Sequence, residues 1–290
     1  MATEERTGRT TSTVDRTVSY YVGSPDYLNG PLAGTCHFGY TPIGEPFALN
    51  AALRSMETLL GQKIALPPGS IVLDAGCGFG RVTTTLASEP FGLNVVGIDL
   101  IPERLREASQ YTKAHDVSGK VRLINGSYCD LPFSDSSISG VFTMETLVHA
   151  DPLEAALGEF WRVLKPGGRL VLFEYSVPER ATLDPLRRWV TDAMVQRIGM
   201  ASIARFTHDA FSAILQDAQF ENIDVKDISR NVWPTWRWLF FRAIRNLPRF
   251  LNDEGMDYTN LVASYLIWPY RYQLGYKVVT ATKPGAQSAE

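Results

Sequence analysis

Residues 71–80, Ile-Val-Leu-Asp74-Ala-Gly76-Cys77-Gly78-Phe-Gly80, constrain this chain more than any other stretch. An apolar run of the kind that forms a buried parallel strand stops at an aspartate and breaks into alternating glycines. Glycine permits a sharp turn and lets a ligand touch the backbone. Residues 81–87 suit a helix, whose first N–H groups would face that ligand. Dinucleotide-binding dehydrogenases share such glycines, so the turn alone is a weak signal. Asp74 shifts the balance, because a carboxylate there repels a pyrophosphate and attracts a cation. S-adenosylmethionine carries an ammonium and a sulfonium and no phosphate.

The same unit recurs. Asn94 to Ile98 is a second apolar run, closed by Asp99 and Leu100. Asp99 lies 25 residues after Asp74, near the spacing at which an acid after the second strand holds a ribose diol. A third run, Val121 to Ile124, precedes Gly126-Ser127-Tyr128-Cys129-Asp130, where Asp130 is placed to accept the adenine amine. Ile138 to Thr143 ends at Met144-Glu145, and Lys165-Pro-Gly-Gly168 reads as a tight turn before a strand from Arg169 to Tyr175. Four strand-plus-acid units in order point to an α/β protein with the Rossmann-like fold of class I S-adenosylmethionine-dependent methyltransferases, built on a seven-stranded, mostly parallel sheet. The expected cofactor-binding residues are Asp74, Gly76, Cys77, Gly78, Asp99, Leu100, Ser127, Tyr128, Cys129, Asp130, Met144 and Glu145, with S-adenosylhomocysteine as the product. A dehydrogenase or a non-catalytic relic of the fold is the competing reading.

The 290 residues suffice for one large α/β domain. A net charge of −3 argues against bulk attraction to nucleic acid. Cys36, Cys77 and Cys129 form no metal-binding spacing, and their odd number argues against a disulfide framework; Cys77 and Cys129, in the expected cofactor loops, suit small packing residues in a reducing compartment. No run of 18 apolar residues exists, and the polar first 13 residues contain no secretory apolar segment. The expectation is a cytoplasmic enzyme with no metal and no stable membrane insertion.

The pattern divides the chain into a disordered tail (1–13), a helical lid (14–69), the cofactor-binding core (70–180), a C-terminal part (181–283) and a second tail (284–290). Val14, Val18, Tyr21 and Val22 recur at helical spacing. A glycine-rich segment with Cys36-His37-Phe38 follows, and Pro46 opens a helix bearing Leu49, Leu53, Met56 and Leu60. Asp151-Pro152 starts another. Residues 181–199 read as a helix, Thr207-His208-Asp209 as the cap of one ending near Ala218, 222–228 as a sixth strand, and 275–282 as an antiparallel seventh. Between the last two lies an insert, about 230–273, holding Trp233, Trp236, Trp238 and Trp268 with several Phe and Tyr residues.

At Glu145-Thr-Leu-Val-His149-Ala-Asp-Pro the chain resembles the sterol 24-C-methyltransferases and related alkene C-methyltransferases. The Cys36-His37-Phe38 segment looks like that family's glycine-rich N-terminal motif, and Tyr20-Tyr21 sits where the family has a tyrosine pair. The resemblance covers roughly residues 18–180. Asp26-Tyr-Leu-Asn-Gly-Pro departs from the sterol motif, and the chain is shorter than the sterol enzymes. It is also similar to smaller terpenoid C-methyltransferases of specialised metabolism, including the type that methylates a prenylated indole in teleocidin formation and lets the cation close a ring.

The resemblance implies methyl transfer to an alkene of a hydrophobic prenylated or terpenoid substrate. An alkene needs no deprotonation before attack, so the protein must align it, exclude water and stabilise a carbocation. Glu145, His149 and Tyr21 are the catalytic candidates; Glu145 and His149 share a face if the strand exit is helical. Tyr21, His37, Phe38, His149, Trp233, Trp236 and Tyr265 are the candidate substrate contacts. Arg237, Arg242, Arg245 and Arg249 accompany the aromatics and suit a solvated face, an interfacial helix or a diphosphate clamp. The alternatives are O- or N-methylation of an aromatic or amine metabolite, with Glu145–His149 as base, and a cyclase that retains the cofactor without transferring methyl. A homo-oligomer that exchanges its N-terminal helix is left open.

Overall fold

The computed structural model describes residues 13–23, 35–189, 192, 199–250 and 268–285. The two expected tails lie almost wholly outside them. Seven strands form one sheet: β1 (Ile71–Ala75), β2 (Asn94–Asp99), β3 (Val121–Asn125), β4 (Ile138–Met144), β5 (Leu164–Ser176), β6 (Glu221–Asp227) and β7 (Gly275–Thr282). Their spatial order is 3-2-1-4-5-7-6. The neighbours from β3 to β5 run parallel, and β7 runs antiparallel between β5 and β6. The direction of winding reverses between β1 and β4. In such a sheet the crevice beyond the carboxyl ends of these two strands is where ligands bind.

Helices α1 (Thr13–Gly23) and α2 (Leu49–Ile64) precede the sheet. They are followed in chain order by α3 (Arg81–Ala87), α4 (Pro102–Ala114), α5 (Leu153–Val163), α6 (Phe211–Asp217) and α7 (Ser229–Phe250). Leu53, Met56, Leu60 and Ile64 of α2 recur at the helical period and are buried. With Val82 and Leu86 of α3 and Val232 of α7, Met56, Leu60 and Ile64 cover one face of the sheet. Phe160 of α5 and Phe211 and Leu215 of α6 cover the other. The central strands are thus buried on both sides, which is why they read as unbroken apolar runs.

Three local expectations change. Lys165–Gly168 turns within β5 rather than ahead of it: β5 begins at Leu164, Gly167 has φ +76°, and a register shift between Ile138 and Gly140 takes up the extra residues. Thr207 does not cap the next helix. Its backbone bridges Val177, and α6 begins four residues later with Ala210 at its N-cap position and no side-chain cap. Pro46 stands three residues ahead of α2 rather than opening it. Of the helix expected over 181–199, residues 185–189 are helical, and most of the remainder lies outside the described residues. No helix of the described residues is long and apolar enough to cross a membrane.

Candidate cofactor and substrate site

The turn after β1 is built around Gly76. Its φ is +91°, and a Cβ there would stand 2.6–2.9 Å from the side chain of Thr146. Thr146 cannot retreat, because its hydroxyl donates to the Ala75 carbonyl at 2.6 Å. The N–H groups of Gly76 and Cys77 both donate to the Ile98 carbonyl, at 2.9 and 3.0 Å. The N–H of Gly78 donates to Asp99 Oδ2 at 2.8 Å. These donors are therefore engaged at the end of β2 instead of being presented to an anion, which disfavours a pyrophosphate.

Two acids dominate what remains. Asp74 is 3 % exposed, and its Oδ2 accepts from Thr83 at 2.6 Å. Burial pushes its carboxyl up to about 7, with nearby Asp99 adding to the effect and the Thr83 bond opposing it. Asp99 also accepts from the Ile101 N–H at 2.9 Å. Burial raises it too, against the pull of that bond and of Arg104. Both are carboxyls that a bound cation or diol would compensate. The buried hydroxyl of Thr35 has no hydrogen-bond partner among the described residues and lines the same cavity. Two acids, an orphaned hydroxyl and an internally satisfied glycine turn fit S-adenosylmethionine better than a pyrophosphate.

At the exit of β4 the chain turns through Glu145, a non-glycine residue at φ +59°. Such a conformation persists only where the surroundings hold it, and here three donors do. The Phe38 N–H and the Tyr276 hydroxyl donate to Oε1 at 2.7 and 2.8 Å, and the Tyr175 hydroxyl donates to Oε2. Burial nevertheless raises this carboxyl above the usual range, because desolvation outweighs the three bonds. The rings that supply those bonds form a cluster. Phe38 meets Tyr175 and Tyr276 nearly edge-on, at centroid distances of 5.9 and 6.4 Å, and Trp236 at 5.4 Å. Behind them Glu174, fully buried and pushed up to about 8 by that burial, accepts from the Val148 N–H at 3.2 Å. It anchors the single turn of 3₁₀ helix Leu147–His149.

His149 is held from two sides. Its Nδ1 lies 3.1 Å from the Gly199 carbonyl, so Nδ1 carries the proton. Its Nε2 then accepts from the Tyr21 hydroxyl at 2.9 Å. Burial lowers its pKa to about 4, with Arg104 contributing, so the imidazole is neutral at physiological pH. Tyr21 reaches it from α1, which is fastened by Thr17 Oγ1 donating to the Gly199 carbonyl at 3.1 Å. The buried Arg104 guanidinium lies 4.3 Å from the centre of the Tyr21 ring and 4.9 Å from that of Phe79. His37 turns away from this pair. Its Nδ1 donates to the Phe38 carbonyl at 2.8 Å, and its Nε2 stands 3.5 Å from Glu57. Burial would raise Glu57, but contacts from His37, Thr85 and Arg81 outweigh it and hold the carboxyl low. The lid is thereby tied to α2 and to the first turn of α3.

One cavity brings together Asp74, Gly76, Cys77, Gly78, Asp99, Leu100, Tyr128, Met144 and Glu145 with Tyr21, His37 and His149. Ser127, Cys129 and Asp130 do not line it; Asp130 is exposed, and its N–H donates to the Ser127 carbonyl. Phe38 and Trp236 pack behind Glu145, and Trp233 stacks on Tyr272 at 5.3 Å. Tyr265 lies outside the described residues. Among the described residues, no group of three His, Cys, Asp or Glu could hold a metal ion. Sequence reasoning missed Thr35, Arg104, Thr146, Tyr175 and Tyr276. Thr146 had a signal, since it directly follows Glu145. Arg104 had none, standing among the charged residues of an apparently solvated helix.

Residues 73–172 match the model of the methyltransferase domain family. The S-adenosyl-L-methionine-dependent Diels-Alderase iccD of Talaromyces variabilis is 36 % identical over 92 % of this chain and 94 % of its own length. The sterol 24-C-methyltransferase of Saccharomyces cerevisiae is 26 % identical, over 87 % of this chain and 67 % of its own length. Among solved structures the [4+2]-cyclase SpnF superposes with a TM-score of 0.74 at 23 % identity, covering 93 % of this chain and 97 % of SpnF. A geranyl diphosphate methyltransferase in complex with GPP and sinefungin gives 0.73 at 18 % identity, covering 93 and 98 %. Together with the acids at the ends of β1 and β2, these matches show that the chain belongs to the class I S-adenosylmethionine-dependent methyltransferases and that S-adenosylmethionine is its cofactor.

Proposed function

We propose that the enzyme transfers a methyl group to an alkene carbon of an isoprenoid or prenylated small molecule, leaving a carbocation that loses a proton or closes a ring. The observation that carries this reading is the state of the two groups at the exit of β4. Glu145 already accepts three hydrogen bonds, and the one lone pair of neutral His149 is taken by Tyr21. With its pKa lowered to about 4, His149 takes a proton through Tyr21 only from a strong acid such as a carbocation, not from a hydroxyl or an ammonium, and an alkene requires no deprotonation before attack. The activities of the sterol 24-C-methyltransferase and the geranyl diphosphate methyltransferase support the same reading.

Bound S-adenosylmethionine supplies an electrophilic methyl group on a positively charged sulfur. The chain contributes a largely apolar cavity bordered by α1 and by Thr35–His37 of the lid. Glu145 places negative charge at the strand exit, and Phe38, Tyr175, Tyr276 and Trp236 back it with aromatic surface. Each ring face that meets a cation contributes about 0.5–2 kcal/mol. When the cation sheds a proton, the Tyr21 oxygen receives it while the Tyr21 proton passes to His149 Nε2, leaving an imidazolium. The His149 pKa of about 4 suits a group that stays neutral until so strong an acid forms.

A second reading is cyclisation without methyl transfer, favoured by the 36 % identity with a Diels-Alderase across nearly its whole length. Incubation with deuteromethyl S-adenosylmethionine and a panel of prenylated indoles, terpenoids and sterols separates the readings by mass spectrometry. Label on carbon, with S-adenosylhomocysteine released, supports alkene methylation. Label on oxygen or nitrogen refutes it. An isomerised, unlabelled product without S-adenosylhomocysteine establishes the cyclase.

A further inference from the structure

Helix α7 carries Arg230, Arg237, Arg242, Arg245 and Arg249 and no acid, on a chain whose net charge is −3. Its two sides differ. Val232 and Thr235 are buried, Thr235 hydrogen-bonds Gly39 of the lid, and Trp236 packs on Phe38. On the other side Arg237, Phe241, Ile244 and Arg245 recur at i, i+4, i+7 and i+8, which places them on one stripe. All four are exposed, Phe241 to 58 % and Ile244 to 40 %. Arg242 borders the stripe, with its guanidinium 5.6 Å from the centre of the Trp238 ring. Among the described residues, neither Arg237, Arg242 nor Arg245 is ion-paired. The ion pairs among the described residues lie elsewhere.

An exposed stripe that alternates large apolar side chains with unpaired arginines suits the plane between headgroups and acyl chains. The apolar groups enter the acyl boundary, and the arginines extend to phosphate and carboxylate headgroups. A second copy of this chain is a poorer partner, because like-charged stripes would meet across a twofold axis. We infer that the outer face of α7 is a peripheral docking surface for anionic membranes. The helix lies flat on the bilayer, with its inner face still packed on the lid. This inference is independent of which reaction the site performs, since it is tested without turnover.

The test uses the full chain in co-sedimentation with vesicles of phosphatidylcholine alone or containing about one-third phosphatidylserine, at about 0.15 M salt. The expected result is partition to the anionic vesicles only. Each arginine near an anionic surface is worth about fivefold in partition, so R242E/R245E loses about 25-fold or more. F241A/I244A loses about tenfold. A control of equal charge change, R106E/K113E, alters exposed residues of α4, which packs against β2 and β3 at the far end of the sheet from β7 and α7. It stays within about twofold of the unaltered protein. Circular dichroism and S-adenosylmethionine affinity identify any variant that misfolds, and F241S/I244S replaces a failed alanine pair. Equal partition to both vesicle types overturns the inference, as does an equal loss in the control. So does a dimer in sedimentation velocity that F241A/I244A disrupts while vesicle binding persists.

Discussion

Replacing Glu145 by Gln and by Ala separates the carboxylate's charge from its hydrogen bonds. In Glu145→Gln the amide oxygen keeps the Phe38 N–H and Tyr276 hydroxyl bonds, and the Tyr175 hydroxyl rotates to accept from the new NH₂. What is lost is the charge assistance on three bonds, about 1 kcal/mol each. What is relieved is the desolvation of a buried charge, which costs several kcal/mol. The raised carboxyl shows that the second effect outweighs the first, so Glu145→Gln should stay within about 1 kcal/mol of wild type or exceed it. Glu145→Ala leaves three buried donors without an acceptor, at about 1–3 kcal/mol each. A loss of about 3–9 kcal/mol lowers Tm by about 6–18 °C. The sign with pH follows: a carboxyl raised on folding lends stability below the unfolded carboxylate pKa and loses it as pH rises through the folded value. Wild-type Tm should therefore fall with rising pH more than that of Glu145→Gln. Thermal melts of the cofactor-free protein across pH provide the measurement. If Gln destabilises as much as Ala, the charge itself holds the lid and the reasoning fails. In turnover, a unit charge about 5 Å from a cation at an effective dielectric constant near 20 is worth about 3 kcal/mol. Glu145→Gln should then lower kcat about 100-fold with S-adenosylmethionine affinity nearly unchanged; full activity would end that role.

Asp74 gives a binding prediction. Its carboxyl lies near 7 in the free protein, and a cationic ligand binds its ionised form, so affinity for S-adenosylmethionine should weaken about tenfold per pH unit below 7. Calorimetry should show a weaker and pH-independent affinity in Asp74→Asn, and a flat wild-type profile would exclude Asp74 as the counter-charge. Tyr21→Phe keeps the ring under Arg104 but removes the hydroxyl from His149; a stability loss of about 1 kcal/mol is expected. Steady-state kinetics should show kcat falling without a change in the KM for S-adenosylmethionine, and an unaltered kcat would discard the proton route. Gly76→Ala combines a left-handed backbone with a Cβ driven into Thr146, a cost of about 2–5 kcal/mol. A soluble variant with normal cofactor affinity would contradict the packing described.

The central strands and their terminal acids were legible because those strands are buried on both faces and read as continuous apolar runs. β7 was read to the residue, and β4 was placed with Met144-Glu145 at its end. The reach of a side chain across the fold was not legible. Glu145 meets Tyr175 and Tyr276 because β7 inserts beside β5, a pairing with no local signature. The i, i+4 spacing of Glu145 and His149 suggested a shared helical face, yet Glu145 adopts φ +59° and only Leu147–His149 is a 3₁₀ turn. The two residues are accordingly recruited by different partners, one by the lid and one by α1. The aromatic insert suggested a wall of Trp233 and Trp236, whereas the rings around Glu145 come mainly from the lid and from β5 and β7. Arg104 illustrates the general obstacle: a buried cation on an outer helix becomes visible only when α1 lies across it.

The placement of β7 bears on how the protein is made. The strand that completes the sheet is the last one synthesised, and it enters between two strands laid down long before it. Until it emerges, β5 has an open edge and β6 has no neighbour in the sheet, the condition in which chains pair wrongly with one another. The same strand brings the Tyr276 hydroxyl to Glu145. A nascent chain can therefore gather the loops around Asp74 and Asp99 before it can latch its lid through Glu145, so the cofactor pocket is able to form ahead of that latch. Translation that stops short of residue 275 would leave a fragment without that latch and with an edge that chaperones or proteases recognise.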